Sequence, residues 1–132
     1  MSRLVDTYGR VHRDLRVSIT DRCNLRCTYC MPADFADWIP GEHLLSIDEL
    51  LTVIEIATEE GVDSIRLTGG EPLLRPDVVE IVSRIRALPR APKVALTTNG
   101  LRMVGLAKPL ADAGLERVNI SLDTLDRQRF AD

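Results

Sequence analysis

The chain of 132 residues has three cysteines, and Cys23, Cys27 and Cys30 all fall in the single run Cys-Asn-Leu-Arg-Cys-Thr-Tyr-Cys. One short loop can turn three such sulfurs toward a common centre, and the chemistry that asks for this is metal binding. Iron–sulfur clusters are held by cysteine thiolates, usually four, and the spacing here supplies three. In a four-iron cluster one iron would then have no protein ligand. An iron with an open position can bind and activate a substrate, by the logic that separates catalytic from structural zinc sites. Three other readings stay open on the residues alone. Unpaired cysteines serve as small buried apolar residues, a Cys3His zinc site could recruit His12 or His43, and a disulfide would leave one thiol over.

The elements that present this loop follow from periodicity. Leu15, Val17 and Ile19 alternate through 14–20, which predicts a strand leading straight into the cysteines. Residues 31–45 read as a loop broken by Pro32, Pro40 and Gly41. Ser46 with Glu49 predicts a capping box opening a helix that carries Leu50, Leu51, Val53, Ile54 and Ile56 and stops at Gly61. The alternation repeats with strands at 64–68, 93–97 and 117–121 and helices at 77–88 and 104–113. A further helix is expected from Thr124. Such alternation predicts right-handed βαβ units on a parallel sheet in one α/β domain, residues 1–132, with no linker.

The unusual residues all follow strands: the cysteines after the first, Thr68-Gly69-Gly70-Glu71-Pro72 after the second, Thr97-Thr98-Asn99-Gly100 after the third, and Ser121-Leu122-Asp123 after the fourth. The carboxyl ends of parallel strands carry the site in such folds. Gly69 and Gly70 would let a ligand approach the main chain, or serve a tight turn. Glu71 before Pro72 would serve the pocket or solvate the turn. Thr97, Thr98, Asn99, Ser121 and Asp123 are ligand contacts or helix caps. Arg16 and Arg66 alternate with apolar strand residues, and an anion such as a phosphate would suit them, as would an internal acid or an outward orientation. Tyr29 would lean on a cofactor or wedge the loop. His12, His43 and Trp38 read as structural.

Composition narrows the classes. A 45% hydrophobic and 28% charged chain is ordinary for a globular domain, and a formal charge of −3 offers no basic field for nucleic acid. No apolar run is long enough to cross a bilayer, and the amino terminus has no signal-like apolar core. The expectation is a cytoplasmic, reducing location, which suits unpaired thiols.

Cys23-x3-Cys27-x2-Cys30 with Tyr29 before the last cysteine, followed one βα unit later by Gly69-Gly70-Glu71-Pro72, resembles the radical S-adenosylmethionine superfamily. That resemblance implies a partial (β/α) barrel and a [4Fe-4S] cluster whose open iron is chelated by S-adenosylmethionine, the source of a 5′-deoxyadenosyl radical. Further runs narrow it: Gly9-Arg10-Val11-His12, Leu15-Arg16-Val17-Ser18-Ile19-Thr20-Asp21-Arg22-Cys23-Asn24, Cys30-Met31-Pro32, Ile65-Arg66-Leu67-Thr68-Gly69-Gly70-Glu71-Pro72-Leu73, Thr97-Thr98-Asn99-Gly100 and Val118-Asn119-Ile120-Ser121-Leu122-Asp123. Together, from Asp6 to the end of the chain, these resemble the GTP 3′,8-cyclases of molybdenum cofactor biosynthesis, the MoaA family. The resemblance implies a lyase in which ribose C3′ of GTP loses a hydrogen and attacks guanine C8. Cys23, Cys27 and Cys30 would hold the cluster, Tyr29, Gly70 and Ser121 would contact S-adenosylmethionine, and Arg16, Arg66 and Thr97 would contact GTP. A protein reductant is implied without being named, and a homodimer is compatible.

Two departures qualify the resemblance. Ser64 stands where that family commonly has a lysine, which weakens or relocates one phosphate contact. The family also continues to six βα units and a carboxyl-terminal region with three more cysteines for a second [4Fe-4S] cluster, and those cysteines are absent from the present sequence. The expectation is therefore a portion of about four βα units, marginally soluble alone and unable to complete the cyclisation by itself. The alternatives are another radical S-adenosylmethionine enzyme, such as a peptide or cofactor maturase, and a non-catalytic metal-binding domain.

Overall fold

The computed structural model describes residues 3–131. Four parallel strands, β1 (Asp14–Ser18), β2 (Ser64–Thr68), β3 (Lys93–Thr98) and β4 (Arg117–Ile120), form one sheet in the order β1-β2-β3-β4. The helices α1 (Ile47–Glu59), α2 (Val78–Arg86) and α3 (Met103–Asp112) fill the crossovers, and a short α4 (Arg127–Ala131) follows β4. Right-handed crossovers between successive neighbouring strands all return on one side. The helices accordingly cover a single face, which makes the partial barrel that the resemblance implied.

The covered face is the core. Ile65, Leu67, Val94 and Leu96 point into it with none of their surface exposed, against Ile54 of α1, Val82 and Ile85 of α2 and Leu110 of α3. Successive side chains of a strand take opposite faces. The alternate residues of β1 and β2 therefore line the other face, where Arg16 is exposed and Arg66 half-buried. That face is polar along almost its whole length.

Local signals account for most element ends. Ser46 Oγ accepts the Glu49 N–H at 3.3 Å and Glu49 Oε2 accepts the Ser46 N–H at 2.8 Å, so the capping box forms as the spacing predicts. Gly61, at φ +95°, lies just beyond the other end of α1. Several expected bounds shift: β3 runs on to Thr98, β4 stops at Ile120 and α3 covers Met103–Asp112. β1 stops at Ser18 rather than Thr20, because its partner β2 ends at Thr68 and turns away at Gly69. The helix expected at 77–88 is the shorter Val78–Arg86, and Asp77 stays outside it with its carboxylate held by Arg75 Nε at 2.7 Å. α4 is opened by Asp126, whose Oδ1 accepts the Gln128 and Arg129 N–H groups, and not by Thr124. The stretch 31–45 contains one turn of 3-10 helix, Gly41–His43. Among the described residues no helix is long and apolar enough to cross a membrane.

Replacing Ser46 by Ala removes one acceptor at the start of α1 and should lower unfolding stability by about 1 kcal/mol. Urea denaturation of Ser46→Ala beside the parent chain measures it, with an unchanged slope expected.

Candidate functional site

All four strands end on the same edge, and the chain there is assembled from backbone outward. β1 pairing carries on past its last residue, with the Ile19 N–H on Thr68 O at 3.0 Å. Two further backbone bonds bring the glycine run against the approach to Cys23: Gly70 N–H to Thr20 O at 2.8 Å and Glu71 N–H to Arg22 O at 2.7 Å. A Cβ on Gly69 would lie 2.4 Å from Thr20 O, and one on Gly70 would lie 2.3 Å from Arg22 O. Close backbone packing thus requires both glycines. On the side where a Cβ would project, their bareness admits residues 20–22, the segment that leads into the cysteine loop.

Glu71 neither solvates the turn nor lines an open pocket. It is 1% exposed, and its carboxyl accepts three hydrogen bonds: Thr98 Oγ1 at 2.6 Å and Leu73 N–H at 3.1 Å on Oε1, and Asn99 N–H at 2.8 Å on Oε2. Thr98 Oγ1 also accepts the Gly100 N–H at 3.0 Å, which leaves its own hydrogen for Glu71. Thr98 and Asn99 therefore lock strand ends.

The cysteine loop is reached by two side chains from the far strands. Asn99 Nδ2 donates to Asn24 Oδ1 at 2.8 Å, and Tyr29 Oη donates to Asp123 Oδ2 at 2.8 Å. The Tyr29 hydroxyl pKa is pushed up to about 12, first by this hydrogen bond, then by desolvation and the charge of Asp123. Within the loop, Cys27 O accepts the Cys30 N–H at 2.8 Å and the Met31 N–H at 3.3 Å, and Cys23 O accepts Arg26 Nη1 at 2.9 Å. The following loop is fastened on: Asp21 Oδ2 accepts the Ile39 N–H at 2.6 Å, and the Arg26 guanidinium lies 5.0 Å from the Trp38 ring centre. Trp38 thus packs against an arginine of the cysteine loop.

All three cysteines are free, Cys23 and Cys27 half-buried and Cys30 exposed. No disulfide strands a third thiol. Among the described residues no three His, Cys, Asp or Glu side chains converge closely enough to hold one metal ion. His12 faces Asp6 at 3.6 Å near the opposite end of β1, roughly 16 Å away by strand rise, which removes it from the cysteines. The donor chemistry, three free thiols on one loop, fits a cluster that spreads its ligands over several irons. Beside the loop, a cavity of about 330 Å³ is lined by Cys27, Tyr29, Asp123, Arg129 and Phe130, among others.

Below the loop, the open face of the sheet carries charge. Arg16 pairs with Arg66 in register, Arg66 with Ala95, and Ala95 with Arg117, so three guanidiniums share one row across the sheet. None of the three forms an ion pair among the described residues. The next row toward the loop holds Ser18, Thr68, Thr97 and Asn119. Arg117 escaped the reading of the sequence. Its parity on the last strand, the same as that of Asn119 and Ser121, was the signal that could have found it.

A protein-family model described as the radical SAM superfamily matches residues 17–131. The chain belongs to the radical SAM superfamily. Its curated relatives include GTP 3′,8-cyclase of Mycobacterium sp. (strain KMS), 54% identical over 129 residues, and GTP 3′,8-cyclase 2 of Mycobacterium tuberculosis (strain ATCC 25618 / H37Rv), 57% identical over 129 residues. Each alignment takes in 97% of this chain and only 37% or 36% of the relative, so this radical SAM chain spans little more than a third of their length. Among solved structures, Streptococcus suis SuiB bound to its precursor peptide SuiA shares the fold at a TM-score of 0.69, with 21% identity over 89% of this chain and 26% of that one. BtrN in complex with AdoMet and 2-DOIA does so at 0.65, with 16% identity over 98% and 51%.

Two measurements test this geometry. Glu71→Gln turns an amide N–H2 toward a donor and should cost about 1–3 kcal/mol of unfolding stability by urea denaturation. Because the Tyr29 pKa is raised from 10.0 to about 12, its bond to Asp123 is fully present below pH 10 and is lost as pH rises through 12. Tyrosinate absorbance should show Tyr29 ionising near that upper value, and Asp123→Ala should bring it back toward 10.0.

Proposed function

We propose that this chain is the amino-terminal radical S-adenosylmethionine portion of a GTP 3′,8-cyclase, which converts GTP to (8S)-3′,8-cyclo-7,8-dihydroguanosine 5′-triphosphate in molybdenum cofactor biosynthesis. The observation that carries this reading is the 54–57% identity to GTP 3′,8-cyclases across nearly the whole chain. The arrangement of the strand ends supports it. Cys23, Cys27 and Cys30 would hold a [4Fe-4S] cluster. When bound, the cluster supplies the electron that lets S-adenosylmethionine yield a 5′-deoxyadenosyl radical.

The chain's own residues bind and orient. Tyr29 belongs to the cysteine loop, Ser121 follows β4 at the same edge, and Gly70 bonds to Thr20 O at the entry to the loop; these three would contact S-adenosylmethionine. Arg16 and Arg66 share a row on the open face with Thr97 one row above, so a triphosphate laid across the sheet would meet the guanidiniums while its nucleoside extends toward the cysteine loop. Holding the two small molecules in register is the share of the work that falls to the protein. Three unpaired thiols suit a reducing, cytoplasmic setting, with an external reductant.

Anaerobic reconstitution with iron and sulfide should load about four irons per chain, and the loaded chain should bind S-adenosylmethionine and GTP. Arg66→Ala should weaken GTP binding by roughly 10-fold or more, the loss of a charge-assisted hydrogen bond, while S-adenosylmethionine binding holds. Binding of GTP unchanged in Arg66→Ala would refute the substrate, and a chain that takes up no cluster would refute the whole reading.

A further inference from the structure

Each interval between successive cysteines contains one side chain bonded to a different strand end. Between Cys23 and Cys27, Asn24 accepts from Asn99 after β3, at 2.8 Å. Between Cys27 and Cys30, Tyr29 donates to Asp123 after β4, at 2.8 Å. Each of these residues is the immediate neighbour of a cysteine. The partners are themselves fixed. Asn99 Oδ1 accepts the Leu101 N–H at 3.1 Å, which decides that its amide nitrogen faces Asn24, and the Asn99 N–H sits on buried Glu71. Asp123 follows Ser121, whose N–H is held by Thr98 O at 2.8 Å. Neither interval has helix or strand of its own to hold it, and the backbone bonds to β2 end at Arg22, before the first cysteine.

We propose that Asn99 and Asp123 are positioning residues that set the spacing of the three thiols through Asn24 and Tyr29, so that the geometry offered to a cluster is dictated by β3 and β4. Their hydrogen bonds go to loop side chains and not to the thiols. They act on the loop residues adjacent to Cys23 and Cys30. The proposal rests on the reading of Cys23, Cys27 and Cys30 as cluster ligands, and its consequence for the loop can be measured with or without iron.

The test uses this chain with Asn24→Ala, Tyr29→Phe, Asp123→Ala, Asp123→Asn and the double variant Tyr29→Phe/Asp123→Ala. Asn24 and Asp123 are exposed, so the fold is expected to survive, as checked by circular dichroism. In the iron-free chain, amide exchange at Cys30 and Met31 should quicken about fivefold in Asp123→Ala, the effect of losing one hydrogen bond. Tyr29→Phe should match it, and the double variant should add nothing further. Asp123→Asn keeps an acceptor for the tyrosine hydroxyl and should restore parent behaviour. After reconstitution, Asn24→Ala and Asp123→Ala should release iron to a chelator several-fold faster and shift the electron paramagnetic resonance spectrum of the reduced cluster, which a change confined to stability would leave alone. Parent-like exchange in Asp123→Ala, additive losses in the double variant, or equal loss in Asp123→Asn and Asp123→Ala would each overturn the proposal. If the parent takes up no cluster, the cluster reading fails, and amide exchange alone decides whether the tethers hold the loop.

Discussion

One buried carboxyl holds the site's edge together. Glu71 comes from the turn after β2, yet two of its three donors, the Thr98 hydroxyl and the Asn99 N–H, belong to the end of β3. Leaving any one of these donors unpaired in the interior costs about 1–3 kcal/mol, a sizeable part of the net stability of a small domain. The two strand ends are therefore hard to separate. Because Gly69 and Gly70 precede Glu71 and pack backbone to backbone on residues 20–22, the lock also fixes where the chain from β1 enters the cysteine loop. A side chain at either glycine would meet carbonyl oxygens that cannot yield without moving that entry.

The opposite requirement governs the open face. Its central row sets Arg16 beside Arg66 on neighbouring strands, about 4.8 Å apart in the hydrogen-bonding direction. Two like unit charges at that distance repel by about 1 kcal/mol in bulk water, and by several-fold more wherever water is excluded. Exposed guanidiniums can splay to reduce this, which is how the row is tolerated. Covering the face without bringing in negative charge would be costly, whereas an anion lying across the row turns the repulsion into attraction. The helix-covered face carries no comparable tension, since β2 and β3 present Ile65, Leu67, Val94 and Leu96 to it at full burial.

How much of this could be read in advance depended on how local each cause was. The capping box at Ser46 and Glu49 was legible because both partners lie within one turn. β2 was read to the residue, as the Gly-Gly pair that ends it is adjacent in sequence. β1 was overread by two residues because its end is decided by Gly69, just past the end of another strand. The helix expected at 77–88 begins only at Val78, the Asp77 carboxylate being held by Arg75, whose guanidinium also donates to Ile19 O at 2.8 Å and Leu45 O at 2.9 Å. The cysteine spacing pointed to the radical SAM superfamily, to which the chain belongs, and the runs that follow the strands do fall on one edge of the sheet. The burial of Glu71 was not legible, because a Gly-Gly-Glu-Pro run describes a turn and says nothing of a hydroxyl on the next strand. Nor were the partners of Asn24 and Tyr29, which are 75 and 94 residues away.

Residues 19–46 follow from the same distribution of constraints. Connections this long without regular structure are uncommon in compact domains, and ordering each residue costs about 1–2 kcal/mol of backbone entropy. A single 3-10 turn cannot supply that order. It is drawn instead from separate places: β2 through the bonds at Thr20 and Arg22, β3 through Asn24, β4 through Tyr29, and Arg75 through the carbonyls of Ile19 and Leu45. A loop held this way has little stiffness of its own, and its shape reports the relative positions of four strand ends. Any shift of β3 or β4 at that edge would therefore be felt at the sulfurs, even though neither strand carries a cysteine.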